Sequence, residues 1–281
     1  MILNHTQLER LFELWRLRLP IQQDLVLIAI RGALPKGRSK GFVQEKELVK
    51  VKVDYKHYRC SIGIWDRKNQ QVYFAPGSTV PHWDQVEKSI LKKGKGSNQL
   101  ECGYYTDFEK GEHLQGKLRG HQALRQTANR LIRRTETGVP IGLKDQLYFS
   151  NPYDNLHCGW NEEPKKAGYS SAGCLVVAGL PRCYRLDKDS ENKGDWKVFK
   201  GLLYQHPQNL FALGLWDYPS VKASLGKAKR RGLMYGSEGA EVVALQGELK
   251  KKGLYKGGLS GVLDGKTYKA WNKVGLKLNL E

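Results

Sequence analysis

The chain has no run of about 20 apolar residues, the length a membrane-crossing helix requires, so membrane insertion is not expected. It has no Cys-x-x-Cys pair, and its five cysteines (Cys60, Cys102, Cys158, Cys174 and Cys183) are odd in number and lack framework spacing. Free thiols are therefore expected rather than disulfides, with no structural zinc site, no other metal and no cofactor. The opening residues, Met1-Ile2-Leu3-Asn4-His5-Thr6, lack the charged-then-apolar pattern of a secretion signal. Synthesis in the cytoplasm without a signal peptide is the expectation. Acidic residues are scarce, 28 against 47 basic ones, which leaves a formal charge of +19. Such an excess points to an anionic partner: nucleic acid, a membrane surface or an acidic polymer.

What is present is enough for one medium domain and a small one: 281 residues, 40% of them hydrophobic. Leu8, Leu11, Phe12 and Trp15 fall at helical spacing in Thr6 to Leu17, with Asn4 or Thr6 as a cap. Asp24 to Ile30 reads as a buried strand. Arg31 at its end reads equally as a ligand for a substrate carboxylate and as a surface charge. Further strands are expected at Lys50–Tyr58, Cys60–Asp66, Gln71–Ala75, Cys102–Phe108, Gln146–Phe149 and Gln208–Trp216, with turns at Pro76–Thr79 and Lys110–His113. Ser89 to Asn98 reads as a loop, and so does Leu180 to Gly194, while Asp195 to Lys200 begins a helix or a strand. His121 to Arg134 has Leu124, Ala128, Leu131 and Ile132 on one helical face and Arg125, Arg130, Arg133 and Arg134 on the other. No aromatic platform interleaves those arginines, which argues against a specific nucleic-acid partner.

The segment around which the chain is organised runs from His157 to Ala178. It holds His157-Cys158-Gly159-Trp160, then Ser171-Ala172-Gly173-Cys174, then the apolar run Leu175 to Ala178. A cysteine where a small-residue turn enters a buried strand is held rigidly while its sulfur faces a cleft. If the strand ending at His157 is its neighbour, the imidazole takes the thiol proton and leaves a thiolate nucleophile. The bland alternative is a buried, inert cysteine beside an unrelated histidine. Asp154 or Asn155 either orients the imidazole or makes the turn before it, and Trp160 either lines the cleft or joins the core.

Thirteen residues separate His157 from Ser171, and Ser-Ala-Gly-Cys follows. This resembles the L,D-transpeptidase (YkuD-like) signature, a histidine followed after a similar gap by Ser/Thr-His-Gly-Cys. Ala172 stands where that family carries a second histidine, and Leu175 and Val176 replace the polar residues that follow its cysteine. A phage-associated group with Ser-Ala-Gly-Cys looks closer, and a Gly-x-His turn followed by an Ala-Leu-x-Gln segment, as at His113 and His121, recurs in it. The resemblance implies a catalytic Cys174 acylated by a wall stem peptide, His157 as its base, Ser171 and Gly173 shaping the turn and oxyanion site, and His113 and His121 as further site residues. The alternative for these two is that His121 opens a helix and His113 lies in a solvated loop. An activated Cys174 would react with iodoacetamide well below pH 8.5.

Residues 221–232 are rich in Lys, Arg and Gly and read as a linker. After them, Gly236, Gly239, Val242, Leu245-Gln246, Leu249, Gly253-Leu254-Tyr255 and Thr267…Ala270 keep the order and spacing of landmarks in the peptidoglycan-binding three-helix domain, which this segment resembles. Leu245, Gln246, Tyr255 and Thr267 are the wall-binding positions that the resemblance implies. The expected fold is α+β: a mainly-β L,D-transpeptidase-like domain with peripheral helices over 1–219, a linker over 220–232 and a small three-helix domain over 233–281. The expected function is a cysteine-dependent peptidoglycan enzyme, a hydrolase of the phage-lysin or delivered-effector kind, with a phage or contractile-injection particle as its carrier. Transpeptidation and a non-catalytic wall-binding protein are the alternatives.

Overall fold

In the computed structural model, which describes residues 1–94, 96–135, 145–186, 191–227 and 229–274, the apolar run Leu25–Arg31 is a strand buried at every position. Its alternate residues enter two separate cores. Leu25, Leu27 and Ala29 face one, and Val26, Ile28 and Ile30 face the other. That is why the sequence shows a continuous apolar stretch and no polar alternation: both faces of the sheet are covered.

In chain order the elements are β1 (Ile2–Asn4), α1 (His5–Leu14), β2 (Leu25–Arg31), β3 (Ala33–Pro35), β4 (Glu45–Lys50), β5 (Cys60–Asp66), β6 (Gln71–Ser78), α2 (Trp83–Lys93), β7 (Asn98–Leu100), β8 (Gly103–His113), β9 (His121–Gln126), β10 (Arg130–Arg134), β11 (Gln146–Ser150), β12 (Leu156–Cys158), β13 (Leu175–Val177), α3 (Gly194–Gln205), β14 (Leu210–Asp217), α4 (Tyr218–Leu225), α5 (Ala240–Lys251) and α6 (Gly265–Lys273). Eight strands close a barrel in the order β12-β13-β6-β5-β2-β14-β8-β9, and two three-stranded sheets, β1-β4-β3 and β11-β10-β7, flank it. The fold is thus mixed α and β around a sheet-rich core. No described helix is long and apolar enough to cross a membrane, and all five cysteines are free.

The barrel interior is filled by Ile62, Ile64, Phe108, Leu124, Leu156, Leu175 and Leu213, together with Trp196 and Phe199 of α3. Helix α1 covers the outer face. Asn4 caps it by accepting from the Gln7 N–H at 3.1 Å, and Leu8, Leu11 and Phe12 are buried. The Phe12 ring meets Trp65, Tyr104 and Trp216 at centroid distances of 5.6, 5.6 and 5.3 Å. Aromatic groups of this size supply much of the apolar burial that holds a helix on a sheet.

The structure corrects several expectations. His121 to Arg134 is two strands and not a helix. Pairing of β9 with β8 and β12 and of β10 with β7 and β11 overrides the helical spacing of its leucines. Arg130, expected on a solvated face, is buried, donates to Asp107 at 2.9 Å and lies 3.6 Å from the Phe108 ring centroid. Lys110 to His113 continues β8 instead of turning, and Pro76 to Ser78 continues β6. Lys50 to Tyr58 is not a strand beyond Lys50, because β4 precedes it. Within the expected loop, Ser89 to Lys93 forms the end of α2, closed by Gly94 in the left-handed region (φ 60°), and Asn98 begins β7. Part of the expected linker is α4, which packs on α1 through a hydrogen bond of 3.0 Å from Trp15 Nε1 to Ser224 Oγ. Residues 138–144 of the stretch 138–151, which carries turn residues, lie outside the described residues, and the described part of the C-terminal segment holds two helices, α5 and α6.

The C-terminal segment forms its own small core around Val242, Leu245, Leu249, Tyr255 and Leu263. It rests on the barrel. The Tyr104 N–H donates to Tyr235 O at 2.7 Å, the Tyr105 and Tyr235 rings stack at 5.1 Å, and Arg16 pairs with Glu241. Truncating Phe12 to alanine empties the space among three aromatic rings, so Phe12→Ala is expected to lower unfolding free energy by about 3–5 kcal/mol in urea titrations.

Candidate active site

Two short parallel strands bring the thiol and the imidazole together. β12 pairs with β13 so that Leu156 lies opposite Leu175 and His157 opposite Val176. Cys174 immediately precedes β13, and the Leu175 N–H donates to Asn155 O at 2.9 Å. The turn before the cysteine is held by Ser171, whose Oγ donates to Cys174 O at 2.7 Å and accepts from the Gly173 N–H at 3.2 Å. Gly173 has φ +149°, and a Cβ there would lie 2.7 Å from Asp154 Oδ1. Only glycine fits that backbone and that approach. Ser171 and Gly173 therefore build the turn, as the sequence suggests.

The β8–β9 hairpin supplies two more histidines. His113 and His121 are paired across it, and β9 joins β12 through Leu124 and Leu156. As a result His113 stacks on His157 with centroids 3.9 Å apart and planes within 12°. His121 sits edge-on to His113 and His157 at 5.5 and 5.3 Å. Ligand atoms of His113, His157 and Cys174 all lie within 4.8 Å of one another. Trp160 is at the same site, edge-on to His121 at 5.7 Å, and Arg119 lies over its ring at 4.4 Å.

The hydrogen bonds assign each ring a role. His157 Nδ1 is 2.7 Å from Cys158 O. A carbonyl only accepts, so the proton is on Nδ1 and Nε2 keeps its lone pair. For His113 the assignment runs through Asn155. The Gln126 N–H donates to Asn155 Oδ1 at 3.1 Å, which turns the Asn155 amide nitrogen toward His113 Nδ1 at 3.1 Å. His113 Nδ1 accepts, and its proton is on Nε2. His121 Nδ1 donates to Arg119 O at 2.8 Å, and its Nε2 is buried without a hydrogen-bond partner among the described residues. The two stacked rings are thus in opposite tautomers: at Nε2, His157 is an acceptor and His113 a donor.

Burial keeps these groups neutral. It lowers the pKa of His157 well below the ordinary histidine range, helped by the neighbouring His113 and His121. It brings His113 down to about 4 and lowers His121 as well. The Cys174 thiol is pushed far up by burial, reinforced by Asp154. The resting pair is therefore thiol and imidazole rather than the preformed thiolate expected from the sequence. Asp154 is a buried carboxyl pushed up to about 7 by desolvation, partly offset by the Asn98 side chain and Arg130. Its carboxyl stands against Gly173.

His113, His157 and Cys174 are also the residues that could hold a metal ion. His157 Nε2 and Cys174 Sγ are available ligands. The Nδ1 lone pair of His113 is engaged by Asn155 and its Nε2 carries a proton, so the set fits a hydrogen-bonded thiol better than a cation.

Of the residues singled out in the sequence, His113, His121, His157, Trp160, Ser171, Gly173 and Cys174 come together. Arg31 does not join them. It is buried in the barrel wall, donating to Thr79 Oγ1 at 2.9 Å and Leu100 O at 2.7 Å. Leu245, Gln246, Tyr255 and Thr267 are buried inside the C-terminal unit. Gln246 Nε2 donates to Ser260 Oγ, Val262 O and Thr267 Oγ1 at 3.0–3.1 Å, so this position organises that unit. Sequence reasoning missed Arg119. Its place between His113 and His121 becomes informative only once those histidines are paired across a hairpin. It also weighed Asn155 as a partner of His157, whereas its amide orients His113.

Asp154 provides a test of site electrostatics through stability. Its folded-state pKa is above the unfolded carboxylate value near 3.9, so the folded state holds a proton that the unfolded state has lost between about pH 4 and 7. Stability from this group is present below that window and is lost as pH rises through it. Asp154→Asn is expected to gain stability over wild type on going from pH 5 to pH 8, by at least about 1 kcal/mol in denaturant titrations. The buried histidines act oppositely: the unfolded state takes up protons near pH 6.5 that the folded rings refuse, so acidification below that value destabilises wild type. No family model, no curated protein and no solved structure matches the chain.

Proposed function

We propose that the protein is a cysteine-dependent enzyme acting on amide bonds of peptidoglycan stem peptides or cross-links, with Cys174 as nucleophile and His157 as base. The observation that carries this reading is the free Nε2 lone pair of His157, held in that tautomer by Cys158 O, in a cluster whose ligand atoms lie within 4.8 Å of one another and include Cys174 Sγ. The chemistry follows from the protonation states. Cys174 Sγ attacks the carbonyl carbon as its proton passes to His157 Nε2, and the C–S bond forms while the carbonyl oxygen takes up negative charge. The His113 Nε2–H and the backbone N–H of Cys174 are the donors for that charge, since the Gly173 N–H is held by Ser171 Oγ. The imidazolium of His157 then protonates the leaving amine, the C–N bond breaks, and an acyl-enzyme remains. Water, with its proton taken by His157, releases the acid; an amine in place of water gives a transpeptidation product.

The choice of peptidoglycan rests on the cysteine motif, on the glycine and leucine landmarks of the C-terminal segment, and on a net charge of +19 suited to an acidic wall. Hydrolysis is the favoured outcome, and action at the wall follows release or delivery from the cytoplasm. A non-catalytic wall-binding role is the second reading, favoured by a thiol only 7% exposed and protonated at rest.

Digestion of purified peptidoglycan by wild type and by Cys174→Ala, with products weighed by mass spectrometry, tests the reading. Only wild type is expected to release or rearrange muropeptides, and equal activity of the variant would place the chemistry elsewhere. Because the resting group is a thiol, alkylation of Cys174 by iodoacetamide is expected to be slow at pH 7 and to accelerate continuously beyond pH 9. A rate plateau below pH 8 would contradict this. Asn155→Asp replaces the amide donor by an acceptor and moves the His113 proton to Nδ1. The variant is expected to lose about 10²-fold in kcat, the scale of one oxyanion donor. It should also gain affinity for Co²⁺, read as a thiolate-to-cobalt absorption band, because His113 Nε2 becomes a third ligand. A merely structural role for Asn155 would not produce that band.

A further inference from the structure

Arg119 is a cation beside the histidine cluster without an acidic partner among the described residues. It lies in the turn between the paired residues His113 and His121. Its guanidinium covers the Trp160 ring at 4.4 Å, and Nη2 donates to Ser170 Oγ at 3.3 Å, one residue from the turn that carries Cys174. Its Nε is buried and has no hydrogen-bond partner among the described residues. No carboxylate among them pairs with it, and the Asp154 carboxyl stands against Gly173 of the cysteine turn. The positive charge reaches all three buried imidazoles, and one ring, His121, stands between Trp160 and His157. A guanidinium packed on an indole and tied to a serine has lost much of its side-chain freedom, so it presents a fixed fork of donors. Ser170 takes one Nη2 hydrogen and leaves the end of the guanidinium, Nη1 with Nη2, without an acceptor among the described residues, and that edge suits a planar carboxylate, which accepts two parallel hydrogen bonds.

We propose that Arg119 is the carboxylate-binding residue of this site, so that the molecule Cys174 attacks carries a free carboxylate close to the scissile carbonyl. This deepens the reading of Cys174 as nucleophile and rests on it for the word substrate. The binding itself does not depend on that reading. It also gives the function that the sequence offered to Arg31 to a residue whose guanidinium lies on Trp160 beside the histidine cluster. A carboxylate seated on Arg119 would orient the acyl group across Trp160 and toward the histidine stack, and a neutral amide at the same position would leave the guanidinium unpaired.

The test uses acetate and acetamide as probes of the full chain, followed by NMR of labelled histidines at pH 7.5 and constant ionic strength. Acetate is expected to shift His121 and His157 saturably while acetamide does not, with His5, His57 and His206 unmoved as internal controls. Arg119→Gln is expected to weaken acetate binding at least 10-fold, and Arg119→Lys, which keeps the charge but not the fork, by less. Equal responses to the two probes, no response to either, or an undiminished acetate response in Arg119→Gln would overturn the proposal. Acetate binding retained alongside an inactive peptidoglycan digest would refute the enzymatic reading and leave the carboxylate site standing.

Discussion

The parallel pairing of β12 with β13 is the constraint on which the site depends. Only three residues of each strand take part, yet the pairing of Leu156 with Leu175 sets His157 beside the chain that leads out of Cys174. Both leucines belong to the barrel core. The register is therefore enforced by burial, because a slip of one residue would turn leucine out and histidine into the apolar interior. The glycine at 173 and the serine at 171 complete the placement by bending the chain into β13 without a side chain in the way.

A site built into a barrel wall inherits the dielectric of that wall. Burial removes charge from the histidines and from the thiol alike, so the resting site is a set of neutral groups whose directions are set by hydrogen bonds. Cys158 O dictates one tautomer and Asn155 the opposite one, although the two rings are stacked 3.9 Å apart. Neutral rings can stack at that distance, while two imidazolium ions would repel strongly in such surroundings. The acceptor and the donor are therefore available together, which a single histidine cannot offer.

Around this centre the remaining elements act as supports. Helix α1 seals the outer face of the barrel through Phe12, Trp65 and Trp216. The C-terminal unit docks on β8 near its start, through Tyr104, Tyr105 and Tyr235, while the far end of the same strand carries His113. One strand thus links the docked unit to the site. Gln246 satisfies its amide within the C-terminal unit, so a ligand for that unit must be met by residues other than the buried landmarks.

Much of the site was legible in the chain itself. The His157-to-Cys174 spacing, the small residues of the turn and the apolar run after the cysteine are local features, and local patterns survive folding because they are backbone and burial requirements of a few adjacent residues. Helix α1 and strands β2, β5 and β14 were equally legible, since an amphipathic stripe or a run buried on both faces leaves its mark directly in residue order. Tertiary structure alone decided the rest. His121 to Arg134 carries leucines at helical spacing, yet pairing of β9 with β8 and β12 in the barrel and of β10 with β7 and β11 in a flanking sheet makes it two strands, because buried backbone groups must be paired. Arg31 and Arg119 are both arginines at the end of a strand or hairpin. Which one lies beside the histidine cluster depends on how the barrel closes, a matter of pairings between residues far apart in the chain that no short window of sequence contains.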